Sequence, residues 1–117
     1  MTSRAETKSV VEQWLSGDMH PEAVWKWALD AKDKQSQGQR SDDALVRDVI
    51  DVLTGLPFDM IIKEDAEVIE YCLSNPVNEA DLGQNLLWNH LDNVDADGRR
   101  NALADDPFYG PYTGGIE

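Results

Sequence analysis

Lysine and arginine are scarce where acid is dense. Between Glu64 and Gly98 the sequence holds nine carboxylates and not one lysine or arginine. Residues 1–40 carry six basic and six acidic side chains, whereas residues 41–117 carry four and seventeen, so the whole net charge of −13 belongs to the later part. A field of that sign attracts cations and basic proteins and repels nucleic acid and the anionic membrane surface. Direct nucleic-acid binding would need a basic stripe, and the only adjacent basic pair in the acidic part is Arg99-Arg100.

Cysteine is nearly absent as well. The single Cys72 excludes an internal disulfide, and together with the distant His20 and His90 it leaves no Cys/His cluster for zinc. No apolar stretch approaches the roughly 20 residues that cross a bilayer. The start, Met1 to Lys8, is polar, with no apolar run behind it to serve as a signal peptide. A soluble protein of the reducing cytoplasm, with no membrane partner, is expected.

Motifs for chemistry are missing too. Gly114-Gly115 follows no strand and opens no helix, so there is no phosphate-binding glycine loop, and no G-x-S-x-G turn occurs. Cys72 falls toward the inner side of its helix, where a free cysteine acts as a small hydrophobe. His90 lies on the apolar face of its helix near Gly83, the setting of a hydrogen-bonded structural histidine, and His20 reads as a helix-start residue before Pro21. Carboxylate pairs are so abundant that none is singled out as an acid and a base. Neither a catalytic residue nor a cofactor is assigned. Asn93-Val94-Asp95-Ala96-Asp97-Gly98 matches the opening of a calcium loop, but its twelfth position is Ala104 rather than glutamate and Arg99-Arg100 bring positive charge. The expected role of that stretch is a turn in which Asp95 or Asp97 caps the next helix, and no metal site is assigned.

What is present is helical period. The chain has 41% hydrophobic residues and four tryptophans, enough for one compact core over residues 1–117. Nothing alternates at period two for long enough to propose a sheet. Val10, Val11, Trp14 and Leu15 share a face of a first helix, about Ser3 to Ser16, which Gly17 stops. Pro21 opens a second, with Val24, Trp27, Ala28 and Ala31 as its core stripe and Trp25 and Leu29 roughly opposite. Residues 33–40 read as a flexible loop. Ser41 is the expected cap of a third helix with a broad face from Leu45 to Leu53, ended by Gly55 and Pro57, and Phe58 to Ile62 is a buried connection.

A fourth helix is predicted over Lys63–Leu73, with Ile62, Ala66, Ile69 and Leu73 inside and Glu64, Glu67 and Tyr71 outside. A fifth runs from the cap Asn78 to Leu91, burying Ala80, Leu82, Leu86, Leu87 and Leu91, with Trp88 on the flank and Gly83 allowing close approach. A short sixth piece lies around Arg99 to Ala104. The tail, 105–117, is too rich in proline and glycine for regular structure, yet Phe108, Tyr109 and Tyr112 should pack back on the helices. The predicted class is all-α: a compact single-domain bundle of five to six helices with an irregular aromatic C-terminal tail.

Short length, acidity, helices and the lack of catalytic motifs resemble the general design of bacterial toxin-immunity proteins, a resemblance of type that no motif narrows to a family. It implies a non-enzymatic module that neutralises or regulates a basic protein such as a toxin or nuclease. In that reading Glu64, Glu67, Glu70 and Tyr71, with Asp92, Asp95 and Asp97 as a second group, meet a cationic site. The alternative is a structural or adaptor subunit whose contact patch is Trp25, Leu29 and the C-terminal aromatics, acidity then serving solubility alone. A third reading, a calcium sensor, rests on the incomplete loop at Asn93.

Overall fold

The computed structural model describes residues 3–38, 43–74 and 80–112. Among them are six α-helices and no strand: α1 (Arg4–Ser16), α2 (Pro21–Ser36), α3 (Ala44–Thr54), α4 (Lys63–Leu73), α5 (Ala80–Asp92) and α6 (Ala96–Leu103). A 3₁₀ turn, Gly110–Tyr112, follows. The first five helices form a ring of neighbours, α1 against α2 and α4, α5 against α4 and α3, and α3 against α2.

Local chemistry sets the boundaries. The Ser3 hydroxyl accepts from the Glu6 amide at the start of α1, and Gly17 ends it in the left-handed region at φ 89°, where a side chain is strained. His20 caps α2 through Nδ1, which accepts from the Glu22 amide, and Pro21 takes the first turn, where its missing N–H costs nothing. α2 continues to Ser36, four residues into the stretch read as loop from Asp33. Its last turn lacks apolar residues but carries the Asp30–Lys34 pair at 3.2 Å and a bond from Gln37 to Asp33 at 3.1 Å. Absence of an inward face is therefore no stop signal. The cap of α3 is Asp43, whose Oδ1 accepts from the amides of Leu45 and Val46. The expected caps Ser41 and Asn78, the end of the predicted loop beyond Gly38, the side chain of Ala80 and the tail beyond Tyr112 lie outside the described residues.

Asp43 does a second job. Its carboxylate takes the Arg4 Nε at 2.7 Å and Nη2 at 3.0 Å, tying the start of α1 to the start of α3. Burial opposes the charged form of Asp43, but Arg4 and the two amides outweigh it and hold the carboxyl below its ordinary range.

α3 supplies more of the core than any other helix: Leu45, Val46, Val49, Ile50, Val52 and Leu53 are all buried. Val11 and Trp14 of α1, Val24 and Ala28 of α2, and Ile69 and Cys72 of α4 close around it. Gly83 earns its place in α5, since a Cβ there would lie 2.8 Å from a Leu45 methyl. The predicted face of α5 is only partly inside. Leu87 is buried and Leu91 half-buried, whereas Leu82 is 50% exposed and Leu86 is also on the surface. The side of α5 that carries Gly83 and Leu87 packs on α3 and α4, and Leu82 and Leu86, each one residue or about 100° away from it, fall outside the contact.

The C-terminal aromatics fold back as expected. Trp25, Phe58, Phe108 and Tyr112 meet edge-to-face or tilted at centroid distances of 5.0–6.1 Å, a favoured arrangement of ring quadrupoles. Trp25 Nε1 donates to the Thr54 carbonyl at 2.8 Å. An Asx turn sets the geometry of the return, with Asp106 Oδ1 accepting from the amides of Phe108 and Tyr109. The Tyr109 hydroxyl, carried inside by that turn, donates to the Ile61 carbonyl.

Burial pushes the Tyr109 phenol well above its ordinary value, the carboxylates of Asp106 and Asp65 adding to the shift and Arg99 opposing it. The folded state thus holds this proton more tightly than the unfolded chain, whose tyrosine titrates near pH 10. The stabilisation is complete below about pH 10 and is lost progressively as pH rises above it. Tyr109→Phe should cost about 1–2 kcal/mol at neutral pH by leaving the Ile61 carbonyl unmet. It should also flatten the loss of stability above about pH 10 seen with the parent in urea titrations at stepped pH. Equal alkaline slopes in the two proteins would refute this.

Candidate functional site

The entry to α4 fixes the surface around it. Ile62 ends the connection from α3 in extended conformation, and Asp65, three residues on, turns back so that its Oδ2 accepts from the Ile62 amide at 2.9 Å. This is the acidic half of a capping box. The same carboxylate is fully buried. Arg99 of α6 grips it with both terminal nitrogens, Nη1 to Oδ2 at 2.6 Å and Nη2 to Oδ1 at 3.0 Å, and His90 of α5 completes the set with Nε2 2.7 Å from Oδ1. Arg99 also donates to the Met60 carbonyl at 3.2 Å and to Glu64 at 3.0 Å. Burial disfavours the guanidinium charge, but Asp65 and Glu64 outweigh it, and Arg99 is held above its ordinary value.

An open hollow of about 760 Å³ lies over this network. Glu64, Asp95 and Arg99 line it, together with Asn89, His90 and Asn93. The described residues that line it offer carboxylate, amide, imidazole and guanidinium groups but no hydroxyl or thiol. Two of its lining groups are already committed, since Arg99 and His90 both bond the buried Asp65 carboxylate beneath. Burial pushes the Cys72 thiol up, which disfavours a reactive thiolate.

The sequence-predicted site residues are placed as follows. Glu64, Glu67 and Tyr71 are exposed on the outer face of α4, and 63% of Tyr71 is accessible. Glu70 is half-buried and lies 3.9 Å from Lys8 of α1. Asp92, Asp95 and Asp97 are exposed at the α5–α6 turn. The two groups meet at one end, where Glu64 and Asp95 share the hollow, while Tyr71 stands seven residues along α4, roughly 10 Å away by helical rise. Three of the seven are partly answered by cations: Glu64 by Arg99, Glu70 by Lys8 and Asp97 by Arg100 at 3.4 Å.

The calcium-like stretch is a helix start. Asp95 caps α6, its Oδ1 accepting from the Gly98 amide at 2.9 Å. Arg99 does not enter that loop as expected; it turns inward to Asp65, because a buried carboxylate is the stronger attraction. Among the described residues no group of three His, Cys, Asp or Glu side chains is placed to hold a metal ion. The pairing of Asp65 with Arg99 was missed from sequence, although a signal was there: Asp65 lies only about 60° from the middle of the Ile62/Ala66/Ile69 stripe.

Comparison with protein-family models, curated proteins and solved structures found no match. The site is therefore read from this chain's own geometry.

Removing one partner of a buried ion pair leaves the other charge uncompensated, which costs about 3–5 kcal/mol. Arg99→Met should lose that much in urea unfolding, and adding Asp65→Asn should restore part of it. A loss below about 1 kcal/mol for Arg99→Met would mean that water reaches Asp65.

Proposed function

We propose that this protein is a non-catalytic binding module for a basic protein, which it neutralises or regulates by placing carboxylates in a cationic site, in the manner of an immunity protein against a nuclease-type toxin in the cytoplasm. One observation carries the reading. Arg4, Lys8, Lys26, Lys32, Lys34, Arg99 and Arg100 each lie within 4.0 Å of a carboxylate of the same chain. Most of the ten basic side chains are therefore already matched internally, while acidic groups outnumber basic ones by 13 over the whole sequence, 23 against ten, and most of the unpaired carboxylates among the described residues face solvent. An uncompensated field of this kind steers a basic partner and speeds encounter. Tyr71, exposed on the same outer face as Glu64 and Glu67, offers an apolar anchor at small entropic cost. No helix among the described residues is long and apolar enough to cross a membrane.

The adaptor reading has less to stand on. Trp25, Phe108 and Tyr109, which it would use as a contact patch, are engaged with one another and with Thr54 and Ile61 inside the protein. Leu29 alone of that set stays largely exposed.

The test is ionic strength. A basic protein captured from native extract at low salt should bind at least roughly tenfold more weakly at 500 mM than at 50 mM salt, mostly through a slower association rate. Glu67→Lys should reduce the low-salt rate further. An affinity unchanged across that range would overturn the electrostatic reading.

A further inference from the structure

A second surface, away from Tyr71, joins apolar shape to negative charge. Between the end of α3, the 58–61 connection and the α5–α6 turn lies a groove of about 340 Å³. Its floor is Val52, Met60, Ile61, Leu91 and Val94, and its walls are Phe58 and Trp88. Both rings are largely in solvent, Phe58 56% and Trp88 41% exposed. Neither is loose. Trp88 Nε1 donates to Asp48 Oδ2 at 3.0 Å, and Phe58 meets Trp25 and Tyr112 edge-to-face at 6.0 and 5.0 Å. Rings held in place before binding lose little freedom on contact.

The rim supplies the chemistry of the occupant. Asp51 is matched by Lys32, and Arg100 by Asp97. Asp48 accepts only from the neutral groups of Gln84 and Trp88, and Asp59 has no ion pair among the described residues. Asp59, in the lining itself, and Asp48, held against the edge of the Trp88 ring, thus have no cationic partner among the described residues. The volume is at the small end of ligand sites, which span roughly 300–1,000 Å³. It suits one or two large apolar side chains.

Resting on the reading of this chain as a module for a basic protein, we propose that the Phe58–Trp88 groove is where the partner docks, receiving an amphipathic basic segment that inserts a large apolar side chain between the rings and sets lysine or arginine against Asp48 and Asp59. The outer face of α4 then serves encounter, and the groove holds the complex.

The probe is a short synthetic leucine–lysine amphipathic helix, with counterparts in which every lysine is glutamine or glutamate, titrated into the full-length isotope-labelled protein and followed by amide shifts. The lysine peptide should bind and the glutamate peptide should not, with shifts concentrated at residues 58–61 and 88–94. Asp59→Lys and Trp88→Ala should each weaken binding roughly tenfold. Glu67→Lys, the same charge change on α4, should weaken it less than about twofold. Equal weakening by Asp59→Lys and Glu67→Lys with dispersed shifts would overturn the groove and leave the basic-partner reading standing. A glutamine peptide that binds as tightly would overturn the role of the rim, and a lysine peptide that fails to bind at low salt would overturn both.

Discussion

The buried Asp65 carboxylate is the constraint on which the second half of the structure depends. Taking an ionised carboxylate out of water costs several kcal/mol, and the cost is offset only when its lone pairs are fully met. Here four donors meet it: the Ile62 amide, both terminal nitrogens of Arg99 and the His90 ring. Those donors come from the start of α4, from α6 and from the end of α5, so one charge fixes three elements. Arg99 extends the hold to the Met60 carbonyl, and Tyr109 takes the next carbonyl, that of Ile61. Three consecutive residues, Met60 to Ile62, each have a backbone group held by a side chain, two of them from far along the sequence and the third by the local Asp65 cap. This explains how Met60 keeps φ +55°, a left-handed conformation costly for a side chain of its size.

The same accounting of charge shapes the surface. Arg99 is spent inside, and Arg4 is spent on the Asp43 cap. Lys26 and Lys34 pair within α2, where their neighbours are one turn away. A chain that commits its few cations to its own framework leaves its exterior acidic as a structural consequence. Framework and field are thus one feature: the lysine-poor sequence from Glu64 onward could not have built α4 and α6 together without drawing Arg99 inward.

The helices were legible wherever an apolar stripe repeated. α1, α3 and α4 fall within a few residues of their predicted bounds, because each buries one broad face and ends at a glycine or a polar turn. The fold-back of Phe108 and Tyr109 was legible from composition alone, since a short tail carrying three large rings gains apolar burial by packing on the helices. What escaped depended on distance in the chain. Leu82 and Leu86 sit at core spacing, but whether a neighbour covers them is decided by α3 and α4 rather than by α5. Asp65 looked like one more carboxylate in an acidic helix. Only its partner, 34 residues later, separates it from Glu64 and Glu67. Asp48 escaped for the same reason, being an unremarked acid of α3 until Trp88 folds onto it.

Exposure of apolar side chains has two forms here, and they argue differently. Leu82 and Leu86 stand one turn apart on the outer side of α5, and isolated exposed leucines are common on soluble proteins. Phe58 and Trp88 are different in kind. Each is fixed by a specific contact, each faces a concave apolar floor, and that floor is Met60 and Ile61, the residues whose carbonyls Arg99 and Tyr109 hold. Acidity serving solubility alone would gain nothing from two ordered rings beside carboxylates; each ring exposes apolar surface that a shorter polar residue would not. The buried charge network therefore reaches the surface through the backbone it restrains. It restrains the stretch of chain that supplies Phe58, Asp59 and part of the apolar floor of the groove.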